Sequence, residues 1–206
     1  MGYWVKERYV LDTNALIYAS ETWEEGYRKA HEWTRRRSPL LMLSRRRYGE
    51  AVVRHILDMC ADGVAECIIP QRVYDEILKT KEPDLRERAL KLIKDANIRV
   101  VNFTLEPEDI LDLVSEEMKD DVARYLRECE IRGKSIGVDM CADPYVLVLA
   151  YREGGKIVTA DRSLAELAND IGITTIYPVS KQIRIQESVF KPRMPTRTRR
   201  TIYARV

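Results

Sequence analysis

Four carboxylates, each at a seam between an apolar run and a helix-like segment, are the residues of this chain best suited to chemistry. Asp12 follows Tyr9-Val10-Leu11 and opens Asp12-Thr13-Asn14-Ala15-Leu16-Ile17. Glu76 stands between Ile68-Ile69-Pro70 and Ile77-Leu78. Asp143 precedes Pro144 and a dense apolar stretch, and Asp161 closes Lys156-Ile157-Val158-Thr159-Ala160. Carboxylates at the ends of buried strands and the starts of helices are costly unless something uses them. A divalent cation is the natural user, because hard cations take oxygen ligands. Gathered at one rim, four such groups would repel one another, and one or two Mg²⁺ or Mn²⁺ ions would offset that charge. Magnesium would bind at about 2.0–2.1 Å through carboxylates and retained waters. The chemistry that suits such a site is phosphodiester hydrolysis. One cation lowers the pKa of a water for attack, and a second, about 3.5–4 Å away, stabilises the leaving oxygen. No histidine or cysteine nucleophile is required. His31 and His55 are remote in sequence from Cys60, Cys67, Cys129 and Cys141, and no Cys-x-x-Cys pair occurs, so spacing argues against zinc.

The acids lie far apart in the chain, so a fold must gather them. Val10 to Thr13 reads as a short buried strand and Asn14 to Ala19 as the start of a helix, with Thr13 or Asn14 available to cap it. Residues 21 to 60 look helical in pieces divided at Ser38-Pro39. Cys67 to Ile69 is a second strand, followed by a helix carrying Val73, Ile77 and Leu78. Another helix follows Pro83. Ile98 to Phe103 is a third strand, and a long helical stripe runs from Glu106 to Cys129 with a break expected near Asp120. Gly133 to Gly137 is a loop, Pro144 to Arg152 a buried helix and Lys156 to Ala160 a fourth strand. Arg162 to Asp170 is a helix, and Ile173 to Tyr177 a fifth strand. Strands alternating with helices argue for an α/β protein with a mostly parallel five-stranded sheet. In open α/β sheets the functional crevice lies at the carboxyl ends of the strands, where Asp12 and Asp161 fall. Helix capping competes as a role for Asp143 and Asp161.

Val10-Leu11-Asp12-Thr13-Asn14-Ala15-Leu16-Ile17, Ile69-Pro70 with Glu76-Ile77, Ala142-Asp143-Pro144-Tyr145 with Leu149-Ala150, and Val158-Thr159-Ala160-Asp161 resemble, in this order, the motifs of PIN-domain nucleases. VapC-like prokaryotic ribonucleases are the nearest subgroup in appearance. The resemblance covers about residues 8 to 178. It implies a three-layer α/β/α sandwich and an Mg²⁺- or Mn²⁺-dependent endoribonuclease, with an antitoxin protein as partner and a homodimer as the working unit. It implies that Asp12, Glu76, Asp143 and Asp161 bind metal, with Thr13 or Asn14 orienting Asp12 or a water and Asp139 accessory to Asp143. The chain departs from the pattern in three places. The stretch between Asp12 and Glu76 is long, no second acid follows Asp161, and the basic tail is extra. A catalytically silent PIN-like module that binds RNA or protein is the alternative reading. A small phosphatase of another α/β family is weaker, since Asn14 stands where a second acid would be wanted.

Composition bounds the rest. With 206 residues, 45% hydrophobic and 33% charged, the chain suits a domain of residues 1–178 with a helical insertion around 21–62 and a basic extension over 179–206. Net charge is only +2, but from Lys181 onward eight basic residues face a single acid, Glu187. A basic tail on a mildly acidic body suits an anionic polymer. Arg35, Arg36 and Arg37, then Arg45, Arg46 and Arg47, with Arg197, Arg199 and Arg200 in the tail, are candidate contacts to RNA phosphates. The longest apolar run, Tyr145 to Tyr151, is too short to span a bilayer. The expectation is a cytoplasmic protein with reduced, buried thiols.

Overall fold

A computed structural model of the chain describes residues 6–22, 25, 39–177, 184–186 and 201–203. The body is a parallel five-stranded sheet of order β3-β2-β1-β4-β5: β1 Arg8–Leu11, β2 Glu66–Pro70, β3 Arg99–Val101, β4 Lys156–Val158 and β5 Thr175–Tyr177. Two short strands from the C-terminal stretch, β6 Arg184–Gln186 and β7 Thr201–Tyr203, continue the sheet beyond β5 in antiparallel fashion. Tyr9, Val10, Leu11, Ile68, Ile69, Ile157 and Val158 are all buried. Such unbroken apolar strands are what a parallel sheet covered on both faces requires.

Eight α-helices are described: α1 Thr13–Ser20, α2 Pro39–Ala61, α3 Gln71–Leu78, α4 Pro83–Asp95, α5 Pro107–Leu111, α6 Lys119–Ser135, α7 Asp143–Glu153 and α8 Arg162–Asp170. The path β1→β2→β3 moves across the sheet in one direction, and β3→β4→β5 moves in the other. Right-handed crossovers therefore put α1–α4 on one face and α5–α8 on the opposite face, which makes the three-layer sandwich. The chain reverses direction between β1 and β4, so a crevice opens there at the carboxyl ends of the strands. The main core joins β1, β2 and β4 to Leu16, Val53, Val73, Ile77, Val146 and Leu164. A smaller cluster of Ile110, Val122, Leu126 and Val148 ties α5 and α6 to α7. No helix among the described residues is long and apolar enough to cross a membrane.

Several local expectations are corrected. The N-cap of α1 is Asp12 rather than Thr13 or Asn14, and no side chain bonds the cap. β3 covers only part of the stretch from Ile98 to Phe103. The long stripe after Glu106 breaks earlier than Asp120, across Asp112–Met118, and α6 then runs on through Gly133 to Ser135. Gly133 therefore lies in the helix rather than in a loop, and glycine is needed there because a Cβ would lie 2.6 Å from the Met140 carbonyl carbon. α7 ends at Gly154, whose left-handed φ of 61° suits glycine. The cysteines are not free thiols. Cys60 pairs with Cys67, and Cys129 with Cys141, across Cα separations of 5.7 and 4.9 Å. The α2–β2 and α6–α7 connections create these approaches, which sequence spacing alone does not display.

Candidate acidic active site

Asp12 extends from β1 as the strand parts from β4. Its N–H still donates to the Val158 carbonyl at 3.0 Å, and the residue is 1% exposed with the helix α1 beginning beside it. Thr159, the residue after β4, donates its hydroxyl to Asp12 Oδ2 at 2.8 Å. Asp12 Oδ1 is buried and has no hydrogen-bond partner among the described residues. Burial, then the charge of Asp143, and further those of Glu76 and Asp161, push the Asp12 carboxyl well above the usual carboxylate range, against the opposing Thr159 bond.

Glu76 lies one turn into the amphipathic α3, which follows β2 without a break because Pro70 ends the strand in an extended conformation. Thr13 donates its hydroxyl to Glu76 Oε2 at 2.5 Å, and the Ala142 N–H donates to Oε1 at 2.8 Å. Burial raises the Glu76 pKa despite both bonds. Glu76 therefore ties α1, α3 and the start of α7 together.

Asp143 is the first residue of α7, buried at 5% exposure. It is not an N-cap: Ala142 takes that place, and no side chain bonds the cap. Its Oδ2 instead accepts from the Tyr125 hydroxyl and from Arg132 Nη2, both at 2.8 Å. Burial outweighs these bonds and lifts its pKa. Asp161 does cap its helix. Its Oδ1 accepts from the N–H groups of Ser163 at 2.7 Å and Leu164 at 3.3 Å, while Oδ2 faces Arg132 Nη1 at 3.7 Å. Thr159 Oγ1 also accepts from the Asp161 N–H at 2.9 Å, so one threonine orders two of the acids.

The four acids are thus brought together from β1, α3, α7 and the β4–α8 turn. The supporting residues divide. Thr13 is present but orders Glu76 rather than Asp12; Asn14 and Asp139 are exposed, Asp139 in the loop before Asp143. Arg35, Arg36, Arg37, Arg197, Arg199 and Arg200 lie outside the described residues, and of Arg45, Arg46 and Arg47 only the backbone, within α2, is described. Sequence reading missed Thr159, Tyr125 and Arg132. Thr159 had a signal, two residues before Asp161 in the same motif. Tyr125 and Arg132 fall on the apolar stripe of α6 with Val122 and Cys129, where a guanidinium calls for a buried partner.

Physically, three of these carboxyl groups are held above their ordinary pKa range by burial and mutual repulsion. Perturbed groups of this kind cluster at functional sites, which makes these acids the candidate site. Divalent cations fit it: the donor set is all oxygen, and among the described residues a buried Asp12 oxygen is left without a donor. The buried trio Cys129, Cys141 and Asp143 also has ligand atoms within 4.8 Å of one another, but the two sulfurs are joined to each other. In comparisons with known proteins, the family model described as PIN domain matches residues 9–170, from β1 to the end of α8. No curated protein matches the chain.

Proposed function

This chain belongs to the PIN domain family, whose members are generally nucleases, and from that premise we propose that it is a divalent-metal-dependent endoribonuclease. The observation that carries the reading is the convergence of Asp12, Glu76, Asp143 and Asp161 at the sheet's reversal point, with Asp12 Oδ1 buried and lacking a donor among the described residues. A phosphodiester is an anion, and four carboxylates would repel it. The site therefore suits that substrate only when a cation shares it.

Asp12, Asp143 and Asp161 are the residues that would hold Mg²⁺ or Mn²⁺, with Glu76 completing the set. When bound, the cation neutralises charge and makes a water more acidic. The chain's own part is to hold the oxygens still. Thr159 orients Asp12, Thr13 and the Ala142 N–H orient Glu76, and Tyr125 orients Asp143. The cap bonds on Asp161 Oδ1 leave Oδ2 directed toward the site. In the reaction, water oxygen bonds to phosphorus as the bond to the leaving ribose oxygen breaks, and the water's proton balance is restored on that oxygen. The arginine triplets and the basic tail are the proposed contacts to the RNA backbone. The finer assignment is a VapC-like toxin in the cytoplasm, held as a homodimer and silenced by an antitoxin protein. It rests on the likeness of the four motifs.

The test is incubation of the purified chain with mixed RNA, with Mn²⁺ or Mg²⁺ and with EDTA, beside Asp12→Asn and Asp143→Asn. Cleavage that needs the cation and vanishes in both folded variants is the expected result. Cleavage that survives in both variants overturns the site. RNA binding without cleavage moves the assignment to a catalytically silent PIN-like binding module.

A further inference from the structure

The acid cluster already holds a cation of its own chain. Arg132 extends from the last turn of α6 and places Nη2 2.8 Å from Asp143 Oδ2 and Nη1 3.7 Å from Asp161 Oδ2. The Asp143 side chain is 7% exposed, whereas that of Arg132 is 46% exposed. The guanidinium thus covers two of the four acids from the solvent side.

Its position is built by its surroundings. It lies 5.7 Å from the Tyr125 ring centroid and 3.0 Å from the Cys129 sulfur. The turn that delivers α6 to Asp143 is held by the Cys129–Cys141 disulfide, by the Cys141 N–H donating to the Cys129 carbonyl at 3.0 Å, and by the close approach of Gly133 to Met140.

The oxygens matter most. Asp161 Oδ1 is occupied by the N-terminus of α8, so Oδ2 is the oxygen left for a ligand, and Arg132 faces that one. Guanidinium has donors only and keeps its charge at every accessible pH. It cannot share a carboxylate oxygen with a divalent cation without direct charge repulsion.

We infer that Arg132 is a built-in competitor for the divalent cation, occupying Asp143 and Asp161 until the cation displaces it. The inference rests on the metal-site reading of the acid cluster. It makes cation binding an exchange, in which apparent affinity falls by the fraction of molecules whose site is open. Being half exposed, the guanidinium can leave toward solvent without opening the core.

The experiment is calorimetric titration of Mn²⁺ into the full chain as wild type, Arg132→Gln, Arg132→Lys and Asp143→Asn, with thermal melts to establish folding. Arg132→Gln is expected to bind Mn²⁺ about tenfold more tightly, as follows if the pair is closed in roughly nine of ten molecules. Arg132→Lys keeps the charge and should stay nearer the wild type. If the glutamine variant does not fold, Arg132→Met retains the aliphatic stem and serves as the neutral variant. Unchanged or weaker binding in the folded neutral variant overturns the competition, as does a lysine variant as tight as the neutral one. If Mn²⁺ binds neither wild type nor the neutral variant, or binds Asp143→Asn undiminished, the metal-site reading falls as well. Wild-type binding that needs Asp143, without the tightening, removes the competition alone.

Discussion

The two ends of the sheet treat the same residue types in opposite ways. At the amino end, Glu66 pairs with Arg8 at 2.7 Å and Arg99 at 2.8 Å, and Glu153 pairs with Arg8 at 2.7 Å. Lys156 bonds Glu7 at 2.6 Å, and Glu7 also accepts from Tyr9. Burial pushes Glu66 up, but the two guanidinium groups outweigh it and hold the carboxyl below its usual range. At the carboxyl end, among the described residues, Arg132 pairs with only two of the four acids, Asp143 and Asp161, and burial lifts Asp12, Glu76 and Asp143. One end contributes to folding, and the other stores repulsion that a ligand would relieve. That contrast distinguishes a structural charge network from the proposed binding site, which a count of charges would not do.

The comparison breaks most visibly in activity. Asp12→Asn or Asp143→Asn is expected to lower RNA cleavage by on the order of a hundredfold or more, as loss of a preorganised electrostatic group does, while Glu66→Gln leaves the cleavage rate near that of the wild type. Initial rates with Mn²⁺ check both. Thr159→Val should cost about tenfold, within the range for groups that orient metal ligands, because it removes the bond to Asp12 and the acceptor for the Asp161 N–H. A rate equal to wild type would show that Asp12 needs no such support.

Stability sharpens the contrast further. A cation that binds only the folded state adds about 2.7 kcal/mol at a hundred times its Kd. Saturating Mn²⁺ should therefore raise the melting temperature of the wild type and leave Asp143→Asn nearly unmoved. The pH response has a definite sign. Asp12, Glu76 and Asp143 bind protons more tightly folded than unfolded, so the native state holds more protons between the ordinary carboxylate pKa and the raised one. Stability in EDTA should then rise as pH falls toward the ordinary carboxylate range, and Asp12→Asn should flatten that slope in a series of melts. Glu66 behaves oppositely, since its lowered pKa gives stability that is lost only as pH falls through and below the ordinary carboxylate range. The smallest effect is Glu66→Gln at neutral pH, a loss of about 1 kcal/mol for partly exposed pairs, read as a melting shift of roughly 2–4 °C.

Much of this architecture is legible in the sequence. Asp12, Glu76, Asp143 and Asp161 each carry flanks that place them beside a strand or a helix start, and the α8 boundaries Arg162–Asp170 follow from amphipathic spacing and the Asp161 cap. What the flanks cannot show is partnership across the sheet. That Thr13 serves Glu76, and Thr159 serves Asp12, follows from the parallel register of β1 with β2 and β4. Arg132 was hidden because a basic residue near a helix end has an ordinary explanation in the helix dipole. The Cys129–Cys141 disulfide was hidden because the two residues meet through the close approach of Gly133 to Met140, and Cys60–Cys67 because it depends on how α2 turns into β2.

The strands β6 and β7 have a consequence for self-association. A parallel sheet that stopped at β5 would offer a bare row of backbone donors and acceptors, the template on which chains join edge to edge. Here the chain's own C-terminal stretch takes that row, with Ile176 in register with Ile185 and Ile185 with Ile202. The opposite boundary, β3, is only Arg99–Val101 and begins with a charged residue. Any pairing of two copies through their sheets would then meet β7 or this short, charged strand, and never β5 itself.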